Sequence, residues 1–249
     1  MAIVLLGGFF LWRILSDELY TEILKTLSRG LWITIFVTLV SFSSACVLGL
    51  GFALALLSTN PWLRHSARFI VEILRGVPIL VLLLYVAFVF APALVAAWNW
   101  ITGPFGFDPI RTRDFPLLWR AILALTLGYS AFIAEVFRAG LQSVDHGHIE
   151  ASKALGLKPF QRFRFIVLPQ AIRTILPPLG NDFVALVKDS SLVSVLGVLD
   201  ITQLGKVTAA GNFRYFETYN VVAFLYLVMT VTLSVMLRRL ENYMRRKPS

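Results

Sequence analysis

Cysteine occurs once in this sequence, as Cys46 inside an apolar run, so no disulfide framework holds the chain together. Cys46 reads as a small packing residue. Charge is scarce as well. Asp, Glu, Lys and Arg make up 15% of the 249 residues, where a soluble domain of this length carries about 25%. Histidine is limited to His65, His146 and His148, too few and too ill-spaced for a metal site, and the last two read as polar loop residues. The ATP-binding loop Gly-x-x-x-x-Gly-Lys-Ser/Thr is missing, because the one Gly-Lys pair, Gly205-Lys206, is followed by Val207. No Gly-x-Ser-x-Gly nucleophile elbow occurs either. No catalytic residue, metal ligand or cofactor-binding residue is therefore assigned to this chain. A membrane-embedded enzyme lacks any visible constellation, and no ATP-hydrolysing element is visible in the chain.

What the chain has instead is apolar length. Hydrophobic residues are 57% of the total and the mean hydropathy is +0.76, which places it among integral membrane proteins. The net charge of +9 does not point to nucleic acid, since the basic residues sit at the ends of apolar runs, where membrane flanks explain them.

Residues 1–15 begin apolar but are too short to cross a hydrocarbon core about 30 Å thick. With no basic n-region or small-residue cleavage site, they read as a membrane-edge segment. Ser16 to Arg29 is amphipathic, with Leu19, Ile23 and Leu27 on one side, and predicts a helix on the membrane surface. Together these form an N-terminal segment, 1–30, ahead of a transmembrane domain, 31–240, and a basic tail, 241–249.

Five spans are predicted within the membrane domain. The first is Leu31–Leu57, charge-free and rich in small residues such as Gly49 and Ala53 that permit close helix contact. The second runs from Phe69 to about Phe90. Gly76 and Pro78 interrupt it, either as a simple kink or as the lining of a cavity. Residues Ala91–Pro116 predict an extramembrane loop with interfacial Trp98 and Trp100. The third span, Leu117–Gln142, carries Gly128, Tyr129 and Ser130 at mid-depth, and Glu135 three residues before Arg138. That pair is either an interfacial anchor or a substrate contact. The fourth begins raggedly near Phe183, after Pro177-Pro178 and Gly180-Asn181, and reaches Leu199. Lys188, Asp189 and Ser190 inside it are either a structural pair between helices or part of a translocation path. Gly205 to Glu217 predicts a polar loop, and Thr218–Leu237 the fifth span.

Between the third and fourth spans lies 141–182, and within it Glu150–Pro169, EASKALGLKPFQRFRFIVLP. Ala151 to Leu155 predict a short helix, Gly156 its C-cap, and Lys158-Pro159 the start of a second. Phe160, Phe163 and Phe165 would form an exposed apolar patch unless something covers them. The patch is either a docking knob or a helix pair lying flat on lipid.

The spacing Glu-Ala-x, three residues, Gly, nine residues, Ile-x-Leu-Pro resembles the EAA loop of ABC importer permeases. Here it is met by Glu150, Ala151, Gly156, Ile166, Leu168 and Pro169, with Ser152 in the place of the second alanine. The blocks GLQSVDHGHIEASKALG (140–156), LPQAIRTILPPLGNDFVALVKDSSLVSVLG (168–197) and VEILRGVPILVLL (71–83) resemble the polar amino acid branch of that family. Two departures are His148, where Gln is usual, and Leu82, where Gln is common. The likeness covers roughly residues 30–240.

The resemblance implies an all-α integral membrane protein with about five transmembrane helices and a cytoplasmic two-helix coupling loop, the type I ABC importer permease fold. It implies a non-catalytic transport subunit of the bacterial inner membrane. Glu150, Ala151, Ser152, Leu155, Gly156, Phe160 and Phe163 would dock onto a partner ATPase, which alone binds ATP and Mg. A second permease subunit, identical or related, an external substrate-binding protein and a polar amino acid substrate complete the implied assembly, with no nucleic acid. Path candidates are Gly76, Pro78, Gly128, Tyr129, Ser130, Glu135, Lys188, Asp189 and Ser190. Placing the loop in the cytoplasm puts 15 Lys and Arg inside against 8 outside, of 23 in the chain. The positive-inside rule then sets the N-terminus out and the C-terminus in. The alternative is an ion-coupled secondary transporter that uses Glu135 or Lys188 and Asp189 as a relay and needs no ATPase.

Overall fold

A computed structural model describes residues 17–245 of the protein. The expected membrane-edge segment 1–15 and the end of the basic tail lie outside the described residues. Those that are described form helices and short connections, with no strand among them. Four helical stretches are long and apolar enough to cross a membrane: Glu18–Leu56, Ile79–Phe105, Leu117–Gln142 and Tyr215–Asn242.

The first helix, α1 (Glu18–Leu56), is one uninterrupted element of 39 residues, about 58 Å long. The sequence predicts a surface helix followed by a separate span, but nothing between Arg29 and Leu31 stops the backbone ladder. The apolar face of the amphipathic part is covered by protein instead of resting on lipid. Tyr20, Ile23 and Leu27 pack with Ile201, Val221, Val222 and Leu225. Gly30 is what lets this happen, because a Cβ there would lie 2.6–2.8 Å from the backbone of Asp200 and Ile201.

The second predicted span begins later than expected. Pro61–Gly76 is a separate amphipathic helix, α2, capped by Asn60, whose side chain accepts the Trp62 N–H at 3.0 Å. Val77-Pro78 breaks the chain, and the apolar run resumes as α3 (Ile79–Tyr85). It continues through a π-turn, Val86–Phe90, into α4 (Ala91–Thr102) and a 3-10 turn, Gly103–Phe105. The expected loop 91–116 is thus helical over its first half. Pro92 reads as a breaker in sequence, yet the π-turn just before it widens the ladder. The Ala91 N–H reaches back to Val86 O, and the carbonyls that a proline ring would strike are displaced. The remaining connection is pinned by Arg120, a buried side chain that donates to the carbonyl oxygens of Phe115 (2.8 Å), Ala87 (3.1 Å) and Thr112.

The third span appears where predicted, as α5 (Leu117–Gln142). After α6 (His146–Ala154), α7 (Pro159–Arg162) and a second π-turn, Phe163–Val167, comes α8 (Leu168–Asp189). The predicted ragged start of the fourth span is a correction: Pro177 and Pro178 lie inside α8. Packing on either side of them holds the helix, with Ile175 buried and Gly180 set against Leu237. Beyond Asp189 the fourth predicted span tightens to a 3-10 helix, Ser190–Leu196, ended by Gly197 at φ +80°. The predicted polar loop 205–217 is largely a helix, α9 (Ile201–Asn212), whose N-cap Asp200 accepts the Gln203 N–H at 2.8 Å. The last helix is α10 (Tyr215–Arg245).

The chain divides into two compact units. One comprises the described residues up to Ser41, Ile79–Leu125 and Leu186–Leu233. Its core holds the Tyr20–Ile23–Leu27 cluster and a buried polar node: the Tyr226 hydroxyl donates to Asp200 Oδ2 at 3.1 Å and accepts from Thr202 Oγ1 at 3.1 Å. The other comprises Phe42–Pro78, Thr126–Ala185 and the chain from Ser234. There Leu56, Ala67, Val71, Ala131 and Ala134 pack together. Gly49 meets α5 so closely that a Cβ would lie 2.9 Å from Ile133 Cγ2, as its small-residue spacing suggests.

Candidate functional site

The two short helices of 146–162 belong to the second unit, and their geometry follows from local chemistry. Asp145 caps α6 by accepting the Gly147 N–H at 2.7 Å. At the other end Gly156 adopts φ +74°. Its N–H donates to Lys153 O at 2.9 Å, and the Leu157 N–H donates to Ser152 O at 3.1 Å. This is the paired closure by which a glycine ends a helix and turns the chain sharply. Lys158 is extended, its N–H donating to Gln161 Oε1 at 2.9 Å, and Pro159 opens α7. The second π-turn then carries the chain into α8. It precedes Pro169 as the first precedes Pro92, with the Leu168 N–H reaching Phe163 O.

The outer surface of this knob is apolar. Leu155 is 80% exposed, Phe160 71%, Phe163 43% and Phe165 61%, while Glu150 and Ala151 are exposed beside them. Ser152 is buried on the inner side, and its hydroxyl donates to Ile149 O at 2.7 Å. Serine therefore stands in for alanine at no hydrogen-bonding cost, because its own helix satisfies it. The knob is held at its base by Val144, Ala171 and Ile175, packed with Val136, Phe137, Leu141, Ile149, Val167 and Leu179. Two polar contacts add to this: Ser143 Oγ lies 3.1 Å from Thr174 Oγ1, and His148 Nδ1 lies 3.2 Å from Gln170 Oε1. His148, read from sequence as a loop residue, is helical and faces α8.

The path candidates fall into separate groups. Gly76 and Pro78 are exposed around the break after α2. Gly128, Tyr129 and Ser130 are buried in α5, with the Ser130 hydroxyl donating to Leu127 O at 2.7 Å. Glu135 is paired with Arg138, whose Nη2 and Nε lie 2.6 and 2.8 Å from Glu135 Oε2, and Arg138 Nη1 reaches Gln142 Oε1 at 2.7 Å. Lys188, Asp189 and Ser190 belong to the other unit, Lys188 exposed and Ser190 buried with its hydroxyl on Val187 O at 2.7 Å.

Within the second unit a cavity of about 360 Å³ opens beside Glu135. It is lined by Arg75, Phe132, Glu135, Val136, Ala139, Gly140, Thr174, Pro178 and Asp182. Of the path candidates only Glu135 lines this cavity. Arg75, Phe132 and Asp182 were not singled out from sequence as path residues. Arg75 carried the one available signal, a charge at the end of an apolar-faced helix just before a break. Its guanidinium lies 5.6 Å from the centroid of the Phe132 ring. Asp182 Oδ2 is buried and accepts no hydrogen bond among the described residues.

Residues 45–248 match the family described as "Binding-protein-dependent transport system inner membrane component". The chain is 36% identical over 227 residues to "Probable amino-acid permease protein YxeN" of Bacillus subtilis (strain 168), covering 91% of this chain and 95% of that one. It is 34% identical over 222 residues to "Glutamine transport system permease protein GlnP" of Escherichia coli (strain K12), covering 88% and 93%. Among solved structures, "Crystal structure of an amino acid ABC transporter with histidines" superposes with a TM-score of 0.75 at 33% identity, over 92% of this chain and 98% of that one. An inward-facing MetNI methionine ABC transporter gives a TM-score of 0.69 at 25% identity, over 92% and 99%.

Proposed function

Because this chain belongs to the family of binding-protein-dependent transport system inner membrane components, we propose that it is the permease subunit of an ATP-driven importer of polar amino acids. Its relatives carry amino-acid and glutamine transport names. It moves the substrate and is not itself catalytic. ATP and Mg are bound by a partner ATPase, and an external binding protein delivers the substrate to a pair of permease subunits, identical or related.

The observation that carries this reading is the knob. A glycine-ended helix pair presents Leu155, Phe160 and Phe163 to the outside while its inner face is packed onto α5 and α8. An exposed apolar patch of that size fits a socket on another protein. Because α5 and α8 both hold the base of the knob, a force on it reaches α5, a membrane-crossing helix, and α8 at once. That is what alternating access needs from its coupling element. Glu150, Ala151, Leu155, Gly156, Phe160 and Phe163 are assigned to this docking surface, whereas Ser152, expected there from sequence, is buried on the inner face and supports the helix from beneath. The knob lies in the cytoplasm, with the N-terminus outside and the C-terminal tail inside. An ion-coupled transporter would leave the knob without a purpose.

The test is purification of the protein from its own membranes, identification of every co-purifying subunit by mass, and reconstitution into vesicles. Uptake of L-glutamine or another polar amino acid should require ATP on the knob side and a binding protein on the other. A complex without an ATPase, whose uptake follows an ion gradient, would refute the proposal.

A further inference from the structure

Arg120 carries a charge for which neither the knob nor the cavity has a use. It is buried in the first turn of α5 and makes no ion pair among the described residues. A buried guanidinium is costly unless acceptors take its N–H groups. Three backbone carbonyls do so: Phe115 O from Nε at 2.8 Å, Ala87 O from Nη1 at 3.1 Å, and Thr112 O from Nη2.

The Ala87 carbonyl needs this donor. In a regular helix it would accept the Ala91 N–H, but in the π-turn that N–H goes to Val86 O. The next residue, Pro92, has no N–H to offer. Ala87 O is thus left without a ladder donor, and Arg120 supplies one from α5. The other two carbonyls lie at the start and just past the end of the 3-10 turn Thr112–Asp114. Asp114 closes that turn by accepting the Arg111 N–H at 2.9 Å. Ile110 before it is fastened to α4, because Asn99 donates to Ile110 O at 2.8 Å and accepts the Ile110 N–H at 2.9 Å. The connection between α4 and α5 is therefore braced, with Phe107, Asp108, Arg111 and Arg113 exposed on it, and the brace ends on the π-turn.

We infer that Arg120 is a positioning residue for transport, joining this connection to the π-turn so that contact by the loaded binding protein is passed to α3. The inference rests on the importer reading, which places the connection outside. At a π-turn the ladder is already one residue out of step, so it gives before the regular helix beside it does. Lysine replaces arginine only in part, since a single ammonium lacks the planar fork that spreads donors over three carbonyls.

The complex of permease, ATPase and binding protein is reconstituted, and ATP hydrolysis is measured with and without binding protein loaded with polar L-amino acids, beginning with L-glutamine. Melting of each complex is recorded beside it. Arg120→Met should melt lower, keep basal hydrolysis, and lose about tenfold of the stimulation. Arg120→Lys should retain part of it. Pro92→Ala supplies the missing N–H, so Pro92→Ala/Arg120→Met should regain the melting temperature. It should not regain stimulation, because the connection stays detached from the π-turn. Recovery of both together would show a merely structural role and overturn the inference, as would full stimulation in Arg120→Met. Should Arg120→Met fail to assemble, Arg120→Lys, alone and with Pro92→Ala, is read by the same rule. A wild type that ignores the binding protein overturns the importer reading along with the joint. A stimulated wild type beside an equally stimulated Arg120→Met overturns the joint alone.

Discussion

Gly140 and Ile175 approach so closely that a Cβ on Gly140 would lie 2.2 Å from Ile175 Cγ1 and 2.9 Å from Cδ1. The first sits on α5 and the second on α8, and Ile175 is part of the cluster that holds the coupling knob at its base. Gly140→Ala should destabilise the complex by about 1–3 kcal/mol through overpacking. Ile175→Ala should cost about 2–5 kcal/mol by leaving a void. The double variant should cost clearly less than the sum, because the alanine methyl occupies space that Ile175 vacates. Thermal unfolding of the four proteins measures this, and strict additivity would show that the two residues are not in contact.

The buried node around Asp200 makes a second prediction. This carboxylate caps α9 through the Gln203 N–H and accepts the Tyr226 hydroxyl. Asp200→Ala removes the cap and strands a buried hydroxyl, on the order of 2–4 kcal/mol together. Tyr226→Phe keeps the cap but removes a hydroxyl that donates to Asp200 and accepts from Thr202, and should cost about 1–2 kcal/mol, while Asp200→Asn, which can still cap, should fall between. Equal melting temperatures across the series would mean that the node contributes nothing to stability.

The caps at Asp200 and at Asn60 before Pro61 are signals of helix starts present in the sequence itself. The expected loop at 205–217 is helical because a cap and a packed Gly205 outweigh polarity. A Cβ on Gly205 would lie 2.6 Å from Val222 Cγ2. The prolines misled in a different way. Pro92, Pro177 and Pro178 read as breaks, and two of the helix boundaries were misplaced on their account. A π-turn upstream of Pro92, and packing around Pro177 and Pro178, keep those helices continuous. Neither is visible to a residue-by-residue reading. The knob was legible, because its shape depends on local signals: a glycine that must adopt positive φ, a proline at a helix start, phenylalanines between charges. The cavity was not, because Arg75, Glu135 and Asp182 are brought together by packing between elements far apart in sequence.

Orientation is open to direct labelling. A cysteine at Asp108, in the exposed connection after α4, should react with an impermeant maleimide in intact cells when Cys46 has been replaced. A cysteine at Lys158 on the knob should react only after the membrane is opened. Labelling of Lys158→Cys from outside would invert the topology and remove the docking argument.

The last prediction concerns coupling itself. Gly156 holds φ +74° with open space around its Cα, so a side chain there meets backbone strain and no steric block. Gly156→Val should cost about 1–2 kcal/mol locally, and relief of that strain would swing α7 away from its present course. Gly156→Asn, a residue that tolerates the left-handed region, should retain most of the geometry. Phe160→Asp leaves the turn intact and places a charge on the exposed apolar surface, so it tests docking separately from shape. None of the three touches a membrane-crossing helix, and abundance in the membrane should be unchanged. Uptake and substrate-stimulated ATP hydrolysis should be lost in Gly156→Val and retained in Gly156→Asn. Phe160→Asp should lose the ATPase from the purified complex altogether. Full uptake and stimulated hydrolysis in Gly156→Val, with the ATPase still bound to Phe160→Asp, would mean that the helix pair rests on lipid and transmits nothing.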